Sequence, residues 1–209
     1  VMLSNGEQLE FDKLVLATGA VPRSLPITDG LSNVYVLRQP DDATAIRTTA
    51  RNVNSAVIIG GGYIGLEVAA SLRQMGLEVS VIEMADRLLA RVASPPVAEL
   101  LNDLHAEHGV SIYTGISVDK IINSDGQFTG VTLADGTVLN GDMLIVGIGV
   151  IPDSELAQQA SVETERPDGG AILVNSSMQT SNPNIIAMGD VALQRGHALR
   201  IESVHNAQD

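Results

Sequence analysis

The 209-residue sequence contains no cysteine and no tryptophan, and aromatic residues make up only 2% of it. Without cysteine there is no disulfide scaffold, no thiolate metal site and no cysteine nucleophile within this span. With so few aromatics and 44% hydrophobic residues, the core has to be built from Val, Ile, Leu and Ala. Such a core suits parallel strands covered by helices on both faces. Basic residues are scarce as well: 12 Lys and Arg stand against 25 Asp and Glu, for a net charge of −13 and a pI near 4.5. Nucleic acids and anionic membranes call for the opposite sign, so neither is expected as a partner. No apolar run approaches the ~18 residues of a membrane span and no signal peptide is visible, which makes a cytoplasmic setting the default expectation. The length fits one large domain, or one and a half smaller ones, with a real core.

What is present begins with a repeat. VMLSNGEQLEFDKLVLATGAVPR (Val1–Arg23) and VTLADGTVLNGDMLIVGIGVIPD (Val131–Asp153) agree at eight of 23 positions at an offset of 130. Each copy reads as a hairpin on Asn5-Gly6 or Asp135-Gly136, a buried strand, and an exit containing glycine and proline. In the first copy the strands are Val1–Leu3, Gln8–Phe11 and Leu14–Ala17; in the second the buried strand is Met143–Val146. Between the copies, hydrophobic spacing predicts a strand over Val34–Leu37 and a helix over Asp41–Thr49. A strand over Ala56–Ile59, a helix over Ile64–Met75 and a strand over Glu78–Glu83 follow. Ser94-Pro95 is an N-cap and first-turn proline for a helix running to about His108. Strands are expected at Ser111–Tyr113, Val118–Ile122, Ala171–Val174 and Ile185–Met188, and a short helix at Ser154–Gln159.

The most specific chemistry lies in AVIIGGGYIGLEVAASLRQMGLEVSVIE, Ala56 to Glu83. Gly60, Gly62 and Gly65 form GxGxxG directly after an apolar strand and directly into a helix. Gly60 permits the tight turn, Gly62 lets a pyrophosphate approach the backbone, and Gly65 allows close helix–strand packing. The helix beginning near Tyr63 aims its free N–H groups and positive dipole end at that pyrophosphate. Glu83 follows Gly65 by 18 residues at the end of the second strand, where a carboxylate accepts hydrogen bonds from both ribose hydroxyls. Its charge repels a 2′-phosphate and favours NADH over NADPH, while Arg87 and Arg91 nearby keep the phosphorylated cofactor open. Strand, helix, second strand and terminal acid together point to a Rossmann-like dinucleotide site.

Three further features carry two readings each. Glu67 is either an acid on the first helical turn, favoured by the dipole, or a carboxylate facing the nicotinamide. GIGVIPD (Gly147–Asp153) and its counterpart ATGAVPR (Ala17–Arg23) are either strand exits needing φ > 0 or gaps left for a ligand at the carboxyl end of a strand. In NPNIIAMGD (Asn182–Asp190), Asp190 is either a strand-to-helix N-cap or a carboxylate for polyol hydroxyls. The four histidines, His105, His108, His197 and His205, show no ligand spacing, and His105 and His108 read as solvated. Neither a metal site nor a catalytic triad is expected.

The stretches DKLVLATGAVPR, VYVLRQPDDA, VIIGGGYIGLEVAASL, RVASPPVAELLNDLHAEHGVSIYTG, GIGVIPDSELA, NPNIIAMGD and RIESVHNA cover nearly the whole chain. In that order they resemble the two-dinucleotide flavoprotein reductases of the pyridine nucleotide–disulfide oxidoreductase superfamily, and within it the ferredoxin reductases of bacterial oxygenase systems. The resemblance implies an α/β fold in which a Rossmann-like NADH domain (residues 38–152), carrying a β-hairpin unit, is inserted in a partial FAD domain of the same type (1–37 and 153–209). It implies an NADH site lined by Gly60, Gly62, Tyr63, Ile64, Gly65, Glu67, Glu83 and Gly149. It implies FAD contacts from Thr18, Gly19, Arg38 and Asp190, the last through the ribityl chain, with Val204 near the flavin ring. The reaction implied is hydride transfer from NADH to FAD and single-electron delivery to a two-iron ferredoxin or a rubredoxin. The family's first GxGxxG, for the FAD pyrophosphate, is expected upstream of Val1 and its interface domain after Asp209. The chain is therefore expected to be a fragment, inactive alone. The same scaffold also serves CoA-disulfide and nitrite reduction and non-catalytic NAD-binding modules. The absent cysteines exclude the thioredoxin reductase branch but not a disulfide reductase whose cysteine pair lies upstream.

Overall fold

A computed structural model describes residues 1–197. In chain order its first elements are β1 (Leu14–Leu16), β2 (Ala20–Pro22), β3 (Val34–Tyr35), α1 (Pro40–Ala50), β4 (Ser55–Ile59) and α2 (Tyr63–Gln74). There follow β5 (Glu78–Glu83), α3 (Pro95–Glu107), β6 (Val110–Thr114), β7 (Val118–Ser124), β8 (Gln127–Leu133), β9 (Val138–Asn140) and β10 (Met143–Val146). The last are β11 (Val150–Pro152), α4 (Glu155–Gln159), β12 (Thr164–Arg166), β13 (Gly169–Val174), β14 (Ile185–Ala187) and β15 (Ala192–Gln194). These form two compact units: Pro22–Gly149, and a second made of Val1–Val21 with the residues from Val150 on. The division falls after Val21 and Gly149, whereas the family resemblance implies domain boundaries after residues 37 and 152. The difference lies largely in β3, whose Val34 and Tyr35 pair with Leu144 and Ile145 of β10.

The central unit is built on a parallel sheet in the order β3-β10-β4-β5-β6. Alternation sorts its side chains. Ala56 and Ile58 of β4, Val79 and Val81 of β5, and Met143 and Ile145 of β10 pack with Ile46 and Ala50 of α1 and Leu66, Val68, Ala69 and Leu72 of α2. Val57, Ile82, Leu144 and Val146 point the other way, against Phe128, Val131 and Leu133 of β8. Core strands buried on both faces read as unbroken apolar runs, as MLIV in β10 does. The expectation of helices on both faces is corrected here. Helices cover one face, and the antiparallel sheet β7-β8-β9 covers the other. The physical reason is in β8, which buries Phe128 and exposes Gln127 and Thr129, the alternation of a strand.

Two helix starts differ in detail from their sequence signals. Ser94 precedes α3 as expected, but its side chain makes no capping bond; Pro95 supplies the fixed φ and needs no N–H partner. At α1 the N-cap is Gln39, and Asp42, at the third helical position, reaches back in a capping box: its Oδ2 accepts the N–H groups of Arg38 (2.9 Å) and Gln39 (2.8 Å).

The second unit has the parallel pair β1-β14, the sheet β12-β13-β15 and the pair β2-β11. Leu16, Ala157, Val162, Ile172, Val174, Ile185, Ala187 and Val191 form its core. The hairpin expected on Asn5-Gly6 is present only as a turn with the single bridge Met2–Gln8. Val1, Met2, Leu3, Leu9 and Phe11 stay exposed. With neither face buried, a two-stranded hairpin has little to hold it.

At the N-terminal end of the central sheet Asp142 ties strands together. Its Oδ2 accepts the N–H groups of Asn54 (2.9 Å) and Ser55 (3.0 Å) and the Ser55 hydroxyl (2.9 Å). Asn33, at φ 53°, donates its amide to the carbonyls of Phe128 and Asp142 and accepts the Phe128 N–H. The Asn54 N–H, helped by the Ser55 hydroxyl and N–H and opposed by desolvation, holds the Asp142 carboxyl below the usual carboxylate range. Asp142→Ala therefore destabilises the central unit, by about 1 kcal/mol given the side chain's exposure to screening solvent. A carboxyl lowered in the folded state stabilises only while ionised. In urea melts the gap between wild type and Asp142→Ala is full near neutral pH and closes as pH falls below about 4 through the folded value.

Candidate dinucleotide-binding site

Three loops converge at the C-terminal ends of the central strands: Gly60–Gly62 after β4, Met84–Ser94 after β5 and Gly147–Gly149 after β10. Gly60 donates to Ile82 O (2.8 Å) and Gly147 donates to Ile59 O (2.8 Å), so the strand pairing runs to the last residue before the turn. Gly60 has φ 115°, and a Cβ on it would lie 2.2 Å from Gly147 O. A Cβ on Gly65 would lie 2.0 Å from Gly60 O. Both positions are closed to any side chain by the backbone itself. Gly62 is different: nothing stands within 4 Å of its Cβ position, and its φ of −83° suits any residue. It is the N-cap of α2. The helix's first bond runs from Leu66 N–H to Gly62 O (3.0 Å), leaving the N–H groups of Tyr63, Ile64 and Gly65 without a partner inside the helix. An open N-cap with no side chain, at the head of a 12-residue helix, is a cradle suited to an anion.

Gly61, which the GxGxxG spacing does not mark, is buried and doubly held. Its N–H donates to Glu83 Oε2 at 2.7 Å, and its carbonyl accepts the Leu89 N–H at 3.0 Å. A Cβ there would lie 2.6 Å from Leu88 Cδ2. The signal in the sequence was the third consecutive glycine, one more than the fingerprint requires. Glu83 Oε1 accepts the Ala85 N–H (2.8 Å), so each carboxylate oxygen has one backbone donor. Arg87 is engaged inside its own loop, donating to Ala90 O (2.8 Å) and Ala93 O (2.9 Å). Arg91 is exposed, with its guanidinium 3.4 Å from the Cβ position of Gly149. Tyr63 is exposed at the start of α2, and Ile64 packs partly into the helix-side core. Glu67 is exposed as well, but on the second turn. The helix starts at Tyr63, one residue earlier than its pattern indicated, and its first turn holds no acid.

In the second unit, β1 and β14 pair in parallel, with Leu16 opposite Ala187. That brings Thr18-Gly19 and Gly189-Asp190, about 170 positions apart in sequence, to the carboxyl ends of adjacent strands. Gly19 (φ 73°) and Gly189 (φ 72°) both take the left-handed conformation there. Thr18 donates its hydroxyl to Asp153 O. Asp190 stands in a single 3-10 turn, Gly189–Val191. Arg38 lies in the central unit between β3 and α1, and Val204, with His205 and the rest of RIESVHNA, lies outside the described residues. Among the described residues no group of three or more His, Cys, Asp or Glu is placed to hold a metal ion, and no helix is long and apolar enough to cross a membrane. His105, read as solvated, is partly buried. Desolvation, then the neighbouring His108, lowers its pKa.

The family model for pyridine nucleotide-disulphide oxidoreductases matches residues 1–209. Putidaredoxin reductase of Pseudomonas putida is 44% identical over 219 residues, which take in 99% of this chain and 50% of the relative. Among solved structures, a ferredoxin reductase from Rhodopseudomonas palustris is similar at TM-score 0.93 and 39% identity, covering 100% of this chain and 52% of that one. A covalent putidaredoxin reductase–putidaredoxin complex is similar at TM-score 0.92 and 42% identity, covering 99% and 51%. The chain thus spans about half the length of the relatives it matches. The fold is α/β and Rossmann-like, as in these structures.

The glycine geometry separates structural from ligand-facing positions. Gly60→Ala and Gly65→Ala each force backbone to move and destabilise the protein by about 1–3 kcal/mol. Gly62→Ala meets nothing and changes stability by less than about 0.5 kcal/mol. Thermal melts of the three variants make the comparison.

Proposed function

The chain belongs to the pyridine nucleotide-disulphide oxidoreductase family, and from that premise we propose that its central unit binds NADH and its second unit forms part of an FAD site. The observation that carries this reading is the open N-cap at Gly62 beside the Glu83 carboxylate. A pyrophosphate seated at Gly62 receives the N–H groups of Tyr63, Ile64 and Gly65 and the positive end of the α2 dipole. Each Glu83 oxygen keeps lone-pair capacity beyond its one backbone donor, enough to accept from the adenosine ribose hydroxyls. Its charge opposes a 2′-phosphate at the same place. Gly149, at φ 93°, adds no side chain of its own past the carboxyl end of β10, giving room for the rest of the dinucleotide. Glu67, exposed on the second turn of α2, is assigned to the nicotinamide end.

For FAD, the supporting geometry is the shared end of β1 and β14. Two left-handed glycines there bare the backbone beside the Asp190 carboxylate, an arrangement that suits a polyol chain. Thr18 and Gly19 line the same end. Arg38 and Val204 are assigned to this cofactor by family resemblance. The cofactors, when both are bound, supply two-electron transfer from nicotinamide to flavin and one-electron release to an acceptor. The polypeptide binds and orients them.

The acceptor we propose is a two-iron ferredoxin of an oxygenase system. The support is the 44% identity to putidaredoxin reductase and the similarity to a reductase solved in covalent complex with putidaredoxin. Titration of NADH and NADPH into the protein gives tighter NADH binding by roughly tenfold or more, the equivalent of about 1.4 kcal/mol. Gly62→Ala, which leaves the fold intact, weakens NADH by a similar factor. Tighter NADPH binding, or unaltered NADH binding by Gly62→Ala, overturns the assignment. In the full-length protein, a flavin absorption band bleached by NADH and restored by ferredoxin tests the reductase role.

A further inference from the structure

The Glu83 carboxylate is engaged without any ligand, and its partner is the loop that would hold one. Gly60, Gly61 and Gly62 are three successive residues with no side chain, so the loop has the greatest backbone freedom the chain offers and no packing atoms of its own. Its shape has to be imposed from outside. On the Gly61 peptide, Glu83 Oε2 takes the N–H at 2.7 Å and the Leu89 N–H holds the carbonyl at 3.0 Å. The Ala85 N–H on Oε1 fixes which way the carboxylate faces. Gly62, the N-cap that sets where the first N–H groups of α2 point, is the next residue along.

We propose that Glu83 is the positioning residue of the dinucleotide loop, so that neutralising it weakens NADH and any other ligand of the loop without a gain for NADPH. This rests on the reading of the Gly60–Gly65 turn as the dinucleotide site. Glutamine at this position has one acceptor oxygen and an NH2 group that only donates. Of the two backbone donors, one is then left facing another donor, and the loop loses a charge-assisted hydrogen bond. A ligand that touches only the loop feels this as strongly as one that carries a ribose.

The test is calorimetry on the full-length flavin-loaded protein, wild type and Glu83→Gln, with NADH, NADPH and inorganic pyrophosphate as probes. Pyrophosphate has no ribose, and removal of a nearby negative charge by itself favours it. The expected result is a loss of roughly tenfold for NADH and for pyrophosphate and no gain for NADPH, the size of one charged hydrogen bond. Unchanged or tighter pyrophosphate binding, or a gain for NADPH, overturns the positioning role while leaving the site in place. Absence of dinucleotide binding to the wild type overturns the site reading instead. Hydrogen exchange resolved to single residues in the ligand-free wild type then decides the positioning role alone, as it does if Glu83→Gln fails to fold. A Gly61 amide as protected as that of Gly60 supports the proposal, and fast exchange at Gly61 overturns it.

Discussion

The carbonyl of Gly60 sits 2.0 Å from the place where residue 65 would carry a Cβ. No side chain fits there, and that one exclusion sets how closely α2 approaches the end of β4. Every other part of the central site takes its position from this approach. Gly60 itself lies against Gly147, which brings the exit of β10 under the same turn. The turn's middle peptide then reaches the end of β5, where Glu83 meets it. A bulkier residue at 65 moves the helix outward, and the N-cap, the carboxylate and the β10 exit no longer share one crevice. Gly60 and Gly65 act here through the volume they leave empty.

The two ends of the central sheet are held by different means. At the N-terminal end, side chains bind backbone: Asp142 accepts from Asn54 and Ser55, and Asn33 bridges Phe128 and Asp142. At the C-terminal end the Gly60–Gly62 turn has no side chains of its own, and Glu83 and the Leu89 N–H link it to the end of β5 and the loop that follows. Between the ends, strands apolar at almost every position bind a helical layer and a β-layer simultaneously. The stability of the sheet is supplied by its middle and its N-terminal end. At the C-terminal end Leu88 and Leu89 complete the core beneath the turn, while the N-cap of α2 is left without a side chain, so that its backbone N–H groups can face a ligand.

Legibility in the sequence followed the range over which each signal acts. β5 and β10 were read to the residue, and β4 and α2 to within one, because burial on both sides writes an unbroken apolar run and helices write their own stops at Gly76 and Gly109. The separate tasks of Gly60 and Gly65 were readable because a strand–turn–helix leaves one geometry for them. The strands of the second-face layer were legible at Val118–Ile122 and around Asp135-Gly136, but not that they cover the sheet: composition, which reports how apolar a face is and not what covers it, suggested helices there. The grip of Glu83 on Gly61 could not be read, because a carboxylate at the end of β5 looks the same whether it faces ribose or backbone. Nor did any local pattern place Thr18 beside Asp190: that proximity exists only through the pairing of β1 with β14.

The internal repeat shows how much of a local sequence likeness becomes structural likeness. At the offset of 130, Gly6 and Gly136 both adopt positive φ (84° and 87°), as do Gly19 and Gly149 (73° and 93°). The strands that follow Gly19 and Gly149, β2 and β11, pair with each other. The bonds flanking them are equivalent as well: Arg23 donates to Gly149 O and Asp153 donates to Gly19 O, both at 2.9 Å. The glycine exits therefore behave identically in both copies, since a left-handed turn depends only on the residue that makes it. The hairpins do not. Val131 and Leu133 are buried and carry a three-stranded sheet, while Val1 and Leu3 are exposed and carry a single bridge. A strand's pairing depends on what its apolar face meets, and within the described residues it is the second copy whose face meets a core. Backbone conformation is thus the part of the repeat inherited from sequence directly, and sheet formation is the part decided by surroundings.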